Sequence, residues 1–402
     1  MEQILRGIRV LDFSQMKTGP MGTQILGDLG ADVIKVERAK GGDWERHFPA
    51  FGKYTDVGAS SFYLAMNRNK RSLAIDLKDP DAKTIIYKLA ETADVVVQNF
   101  RPGVLERLGF GYEDFKKIKP DIIYCSNSGY GQTGPYRSRP GQDLLAQAVS
   151  GMILMNGTDG QPVPAASTVA DGVTSIILAL AIMGALLHKY RTGEGQEVEV
   201  DLMSSLVALQ QEEVSAFLNL HPRPGFNRSA SGVAAPWLSA PYGIYRTLDD
   251  KYLAIAMNPL EKLADLIEEQ SIAKYTSVEA AYENRDLVKD LIQRKIQSKE
   301  LSFWVDHLLE ADIWCAPVHG FEEMVTDPQV IHNKLIQKMN HPNWGDFSIV
   351  ATPIRYSSTP PTYRLAPPAV GEHSREVLEE AGFSEGEITE FLEQGIITEP
   401  QS

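Results

Sequence analysis

The sequence predicts an α/β protein: a doubly wound, mostly parallel, Rossmann-like sheet in a large domain, joined to a smaller α+β domain. Two observations carry the prediction. From the N-terminus to Ser126, short Val- and Ile-rich runs alternate with stretches of helical periodicity, the pattern of βαβ units and hence of a parallel sheet. Past residue 200 the order changes to a hairpin followed by helices, so a second fold begins there.

Ile8–Phe13 reads as the first strand, Gly19–Leu29 as a helix opened by Gly-Pro and stopped by Gly30, and Ala31–Val36 as the next strand. Ser72–Leu77, Asp94–Asn99 and Ile122–Ser126 follow as strands, with helices over Asp79–Ala93 and Tyr112–Ile118. Ligands of such sheets bind beyond the strand carboxyl ends, which points to the segments after Phe13, Val36, Val97 and Ser126. Glu197–Leu202 is a further strand and Leu202–Leu220 a helix, broken by His221-Pro222-Arg223-Pro224-Gly225. Tyr242–Arg246 and Tyr252–Ala256 flank an Asp249-Asp250 turn as a hairpin, helices occupy Leu260–Glu310, and a Pro-rich stretch, Thr352–Pro368, leads to a last helical pair from His373. The expected large domain is 1–205 plus 340–402 and the small one 226–325, with linkers at 206–225 and 326–339.

The chain has 402 residues, 43% of them hydrophobic and 23% charged, which excludes disordered and fibrous classes. A net charge of −14 argues against a nucleic-acid coat or an anionic-membrane binder, while leaving room for a local basic pocket. Cys125 and Cys315 alone make neither a disulfide framework nor a Cys-based zinc cage, and their apolar settings suggest buried free thiols. The N-terminus lacks a secretory pattern, and the longest apolar run, Ile176–Leu187, has 12 residues against about 20 for a membrane span. A soluble, cytoplasmic protein is expected.

Gly129-Tyr130-Gly131-Gln132-Thr133-Gly134 fits G-x-G-x-x-G after a strand, but Pro135 to Gly141 cannot open the helix a dinucleotide site requires, so a plain loop is expected. The histidines lack metal-ligand spacing, and no metal site is expected. Asp171, before an apolar helix running through His188, suits an N-cap; helix N–H dipoles would keep it ionised, as nucleophilic catalysis by a carboxylate requires. Lys17, Arg38, Lys70, Arg71, Lys78, Arg101 and Arg107 flank strand ends of an acidic protein, which suits a ligand with several phosphates.

Leu5-Arg6-Gly7-Ile8-Arg9-Val10-Leu11-Asp12, Leu29-Gly30-Ala31-Asp32-Val33-Ile34-Lys35-Val36-Glu37, Asn69-Lys70-Arg71-Ser72, Asn99-Phe100-Arg101-Pro102-Gly103 and Arg191-Thr192-Gly193-Glu194-Gly195-Gln196 stand in one order along the chain. With them the sequence resembles the class III CoA-transferases, among them formyl-CoA transferase and the carnitine-linked transferase, over nearly its whole length. The resemblance implies an acyl-CoA and a free carboxylic acid as substrates, no permanently bound cofactor, and a homodimer of two interlocked rings. It places the nucleophile at Asp171 and the coenzyme A contacts at Arg38, Ile75, Lys78, Asn99, Phe100, Arg101 and Arg107, with Gln15 and Lys17 beside the thioester as oxyanion partners.

Two departures from formyl-CoA transferase stand out. Ser231 to Trp237 lacks that enzyme's glycine-run loop, so Trp237 is expected to cover the site, and Lys17 replaces a glutamine, which would favour an acyl group with a second carboxylate. The α-methylacyl-CoA racemase branch is the alternative enzyme, but its His-Asp pattern reads Gln142-Asp143 here, and Gln142 cannot carry a proton. A non-catalytic acyl-CoA-binding protein would keep the basic residues without needing Asp171.

Overall fold

A computed structural model gives the fold of the chain and describes residues 3–55, 58–158, 160–223, 225 and 228–400. Pro224 of the expected linker, and residues 226 and 227 at the expected start of the small domain, lie outside the described residues.

In chain order the elements are β1 (Arg9–Asp12), α1 (Thr18–Asp28), β2 (Asp32–Arg38), α2 (Ser61–Met66), β3 (Lys70–Ile75), α3 (Pro80–Ala90), β4 (Val95–Gln98), α4 (Val104–Leu108), α5 (Tyr112–Ile118) and β5 (Ile123–Ser128). Then come α6 (Asp143–Val149), α7 (Met152–Met155), α8 (Val169–Thr192), β6 (Glu197–Asp201), α9 (Leu202–Leu209) and α10 (Gln211–Asn219). The second half carries β7 (Gly243–Arg246), β8 (Tyr252–Ile255), α11 (Leu260–Leu266), α12 (Val278–Glu283), α13 (Arg285–Ile296), α14 (Leu301–Glu310) and β9 (Cys315–Pro317). It closes with α15 (Phe321–Thr326), α16 (Pro328–His332), β10 (Ile336–His341), β11 (Gly345–Val350), α17 (Ser374–Glu380), α18 (Glu385–Glu393) and β12 (Ile397–Thr398).

The large sheet runs β12-β3-β2-β1-β4-β5-β6, parallel throughout except for β12 against β3. Its strand order reverses between β1 and β4, and ligands of doubly wound sheets bind beyond the carboxyl ends at such a point. Adjacent residues on a strand face opposite layers. Leu11, Ile34, Leu73 and Val96 pack with α3 and the C-terminal helices, whereas Val10, Val33, Val95 and Ile123 pack with α1 and α8. Both faces being covered, the strands read as continuous apolar runs.

The α8 helix has 24 residues and is long and apolar enough, by length and composition, to cross a membrane. Its Leu178, Ala179, Ile182 and Ala185 are buried in the second of these cores. A Cβ at Gly22 of α1 would sit 2.7 Å from Leu178 and 3.1 Å from the Ser175 carbonyl, so the absence of a side chain lets α1 lie directly on α8. Their first turns consequently start side by side.

The chain divides into two compact units, 1–146 with 168–209 and 329–402, and 147–167 with 210–328. The second has its own core, in which Tyr245, Leu253 and Ile255 of the β7-β8-β9 sheet pack with Leu263, Ile292, Trp304 and Leu308. These boundaries depart from those expected from sequence. Residues 147–167, expected in the large domain, group with the second unit, where Arg228 donates to the carbonyls of Asn156 (2.7 Å) and Gln161 (2.6 Å). The expected linkers hold ordered elements: the second half of α9 and all of α10 within 206–225, and α16 and most of β10 within 326–339. Cys125 is a core thiol whose pKa burial pushes up to about 12, but Cys315 is only partly buried.

Candidate active site

At the carboxyl end of β1, charge is enclosed by protein. The side chains of Asp12 and Lys70 are fully buried and pair at 3.1 Å; those of Lys35 and Asp43 are equally buried and pair at 2.7 Å. Asp12 also accepts from the Ser14 N–H (3.0 Å) and from the hydroxyls of Ser14 and Thr23. Lys35 donates to the Ser14 carbonyl at 3.1 Å, and Asp43 accepts from the Met16 N–H at 3.1 Å. Residues 14–16 are therefore fixed by buried ions, with Met16 in the left-handed region at φ 62°. Burial would raise the carboxyls of Asp12 and Asp43, but the lysine charges and these hydrogen bonds hold both below the usual range. Lys70 is pulled down by burial to about 8, and Glu45 is pushed up to about 8 by burial and by Asp43.

This loop is tied across the sheet. The Gln15 N–H donates to Asn99 Oδ1 at 2.9 Å and Asn99 Nδ2 donates to the Gln15 carbonyl at 2.7 Å, joining the ends of β1 and β4 where the strand order reverses. The Gln15 carboxamide makes no hydrogen bond among the described residues and remains available to a ligand.

Two residues on, α1 begins. The Thr18 hydroxyl donates to Asp171 Oδ1 at 2.6 Å, and the Lys17 ammonium bonds the Thr168 hydroxyl. Asp171 is the third residue of α8 and not its N-cap; Thr168 occupies the cap position without a side-chain bond. Asp143 supplies the cap instead, its Oδ1 accepting from the N–H groups of Ala170 (2.7 Å) and Asp171 (3.2 Å). The expectation of an N-cap is corrected, while Asp171 still stands in the first turn of α8, where helix dipoles favour a carboxylate. Burial raises its carboxyl, the Thr18 bond lowers it, Asp143 raises it, Lys17 lowers it, and the net direction is upward.

Asn99 also borders a crevice of about 100 Å³ beyond β4 and β5, lined by Phe100, Arg101, Tyr130, Arg137 and Arg139 among others. Arg107 of α4 stands close by: a Cβ at Gly103 would lie 3.0 Å from its guanidinium and 3.4 Å from that of Arg137. Among the described residues, none of Arg101, Arg107, Arg137 and Arg139 is ion-paired with a carboxylate. Gly129-Tyr130-Gly131-Gln132-Thr133-Gly134 is a loop, as expected, with Gly129 and Gly141 packed backbone to backbone at its base. Arg38 and Ile75 are register partners on β2 and β3. Arg38 is exposed and Lys78, just beyond β3, is exposed too, but the Ile75 side chain is buried in the core and offers a ligand only its main chain. Gln142 is exposed immediately before α6, and Trp237 lies half-exposed in the second unit. Among the described residues, no cluster of three His, Cys, Asp or Glu side chains is arranged to hold a metal.

Comparison with known proteins gives this arrangement a family. The profile of CoA-transferase family III matches residues 5–374. The chain belongs to that family. Mouse succinyl-CoA:glutarate CoA-transferase is 35% identical over 405 residues, covering 99% of this chain and 91% of its own. Formyl-CoA:oxalate CoA-transferase of Rhodopseudomonas palustris is 32% identical, covering 100% of this chain and 99% of its own. The crystal structure of Rv3272 from M. tuberculosis superposes with a TM-score of 0.80 at 30% identity, covering 92% of this chain and 98% of that one.

As a family III CoA-transferase the protein acts on CoA thioesters. Arg137 and Arg139 stand in the Pro135 to Gly141 stretch, which the sequence marks only as unable to open a helix; their spacing in Tyr136-Arg137-Ser138-Arg139, after a strand end, is the available signal. Thr18 and Asp143 were missed because their roles depend on α1 and α6 meeting α8, which no local pattern announces. The buried ions make a prediction of their own. Lys35→Met leaves Asp43 buried without its cation, a loss of about 3–5 kcal/mol, measurable as a lower urea midpoint with an unchanged slope.

Proposed function

We propose that this CoA-transferase moves CoA between a dicarboxylic acyl-CoA and a free dicarboxylate, with Asp171 as the covalent carrier. The observation that carries the reading is the Asp171 carboxylate, held at the start of α8 by Thr18 with the Lys17 ammonium beside it. Burial raises its basicity and so strengthens it as a nucleophile.

The Asp171 oxygen attacks the donor thioester carbonyl; the C–S bond breaks and the thiolate leaves with its electron pair, giving an acyl–aspartyl anhydride. The thiolate then attacks the aspartyl carbonyl, the anhydride C–O bond breaks, and the donor acid departs as a carboxylate. The acceptor carboxylate attacks the aspartyl-CoA thioester, expelling thiolate and forming a second anhydride. Attack of thiolate on its acyl carbonyl releases the new acyl-CoA and restores the Asp171 carboxylate. Each attack builds an oxyanion, for which the Gln15 carboxamide and Lys17 are the donors at hand. Phosphates of CoA are assigned to Arg101, Arg107, Arg137 and Arg139, with Arg38 and Lys78 at the ends of β2 and β3. Gln142 has no titratable group, which sets racemisation aside.

A second carboxylate on the acyl group finds its cation in Lys17, and the succinyl, glutarate and oxalate substrates named for the two relatives are consistent with that pairing. The interlocked homodimer remains part of the reading: Ile176, Leu180, Leu187 and Tyr190 form an exposed stripe along one side of α8, an apolar face that a second copy would cover.

Incubation with acyl-CoA followed by hydroxylamine or borohydride is expected to inactivate the enzyme with the modification on Asp171, and Asp171→Asn to abolish exchange while still binding acyl-CoA. Modification elsewhere, or a fully active Asp171→Asn, overturns the mechanism. Lys17→Gln should slow both kinds of acceptor through the oxyanion contact they share, and should lower kcat/KM for a dicarboxylate acceptor by roughly 10–150-fold more than for a monocarboxylate, the equivalent of about 1.5–3 kcal/mol for a charged hydrogen bond to the second carboxylate. Equal losses for both acids would remove Lys17 from substrate recognition. Sedimentation should give twice the 44.5 kDa chain mass, and a monomer disproves the dimer.

A further inference from the structure

We infer that Asp143 is a positioning residue for the nucleophile: its carboxylate caps the helix that carries Asp171 and keeps a second negative charge against it. The inference rests on Asp171 being the covalent carrier, as proposed above, and assigns a role to a residue outside that scheme.

The geometry is specific. Asp143 is buried, and its Oδ1 accepts from the N–H groups of Ala170 and Asp171, the second and third residues of α8. A helix start normally satisfies these groups from its own N-cap, yet Thr168 makes no such bond; its hydroxyl is engaged by Lys17. The cap therefore comes from 28 residues upstream and bonds the backbone of the reacting residue itself. Two consequences follow for Asp171. Its main chain is fixed by Asp143 while its side chain is fixed by Thr18, so the carboxylate is held from both ends. It is also flanked by one charge of its own sign, Asp143, and one of the opposite sign, Lys17.

That flanking has chemical value. Formation of the anhydride or the aspartyl thioester removes the charge of Asp171, so repulsion from Asp143 is present before acylation and relieved after it. Asp143 thus opposes the free carboxylate and favours the acylated enzyme, while Lys17 pulls the other way. Asp143 also follows directly on the crevice loop that carries Arg137 and Arg139, so one short segment both borders the crevice and anchors the nucleophile.

Asp143→Asn separates the two effects, because its amide oxygen still accepts hydrogen bonds but carries no charge; Asp143→Ala removes both. The readouts are the pH profile of kcat/KM, KM for acyl-CoA, the yield of trapped aspartyl-CoA, and thermal unfolding. Activity falls at low pH as Asp171 gains a proton, so removing a like charge should move that acid limb to lower pH. Asp143→Asn is expected to unfold at the wild-type temperature, shift the limb downward and trap less aspartyl-CoA, with KM for acyl-CoA unchanged. Asp143→Ala is expected to lose kcat further, and should it fail to fold, Asp143→Asn decides alone. A wild-type acid limb and trapping yield in Asp143→Asn overturn the inference, as does a change confined to KM. These results are read in enzyme whose trapped label lies on Asp171; a label elsewhere is a failure of the proposed mechanism and is thereby told apart.

Discussion

The site depends on two ion pairs sealed beneath the carboxyl end of β1, Asp12 with Lys70 and Lys35 with Asp43. Burying ions costs several kcal/mol each, and an apolar replacement would often be as stable. What the ions supply is direction. Asp12 grips Ser14 by its N–H and hydroxyl, Lys35 grips the Ser14 carbonyl, and Asp43 grips the Met16 N–H. No apolar packing could orient Ser14 and Met16 on either side of Gln15 in this way. With the loop so held, Gln15 meets Asn99, Lys17 meets Thr168, and Thr18 meets Asp171.

The sheet and the helices contribute different things to the same place. Reversal of strand order leaves space between the ends of β1 and β4, which Gln15 and Asn99 frame. Close approach of α1 to α8 at Gly22 brings two helix starts together, so that a hydroxyl from one solvates a carboxylate from the other. Water is then only part of the solvent seen by Asp171, and its basicity is set by protein groups at fixed positions. The acidity of the whole chain is no obstacle to anionic ligands, because the four arginines beyond β4 and β5 carry no carboxylate partners among the described residues.

The large sheet was legible because its strands are buried on both faces: Val95-Val96-Val97 and Val33-Ile34 can be read only as interior strands. β12 was not, since two residues, Ile397 and Thr398, are too few to show an alternation. The division into units differs from the expected one because Arg228 fastens 147–167 to a distant segment, a contact that no local pattern announces. For the site, Asp171 stood out before an apolar helix, but its position as third residue and its capping by Asp143 arise from tertiary contact. Ile75 shows the limit of carrying a position over by resemblance, which transfers a place in the chain and not the direction of a side chain.

Gly129 and Gly141 touch backbone to backbone, and a methyl group on either would collide with the other. The stem of that loop consequently tolerates no side chain, while the eleven residues between are mostly exposed. Such a segment behaves as a cassette: its tip can be lengthened, shortened or recharged by mutation without disturbing the strand before it or the aspartate after it. With CoA phosphates assigned to Arg137 and Arg139 as proposed, the grip on that end of the substrate can be retuned there at little cost to the chemistry.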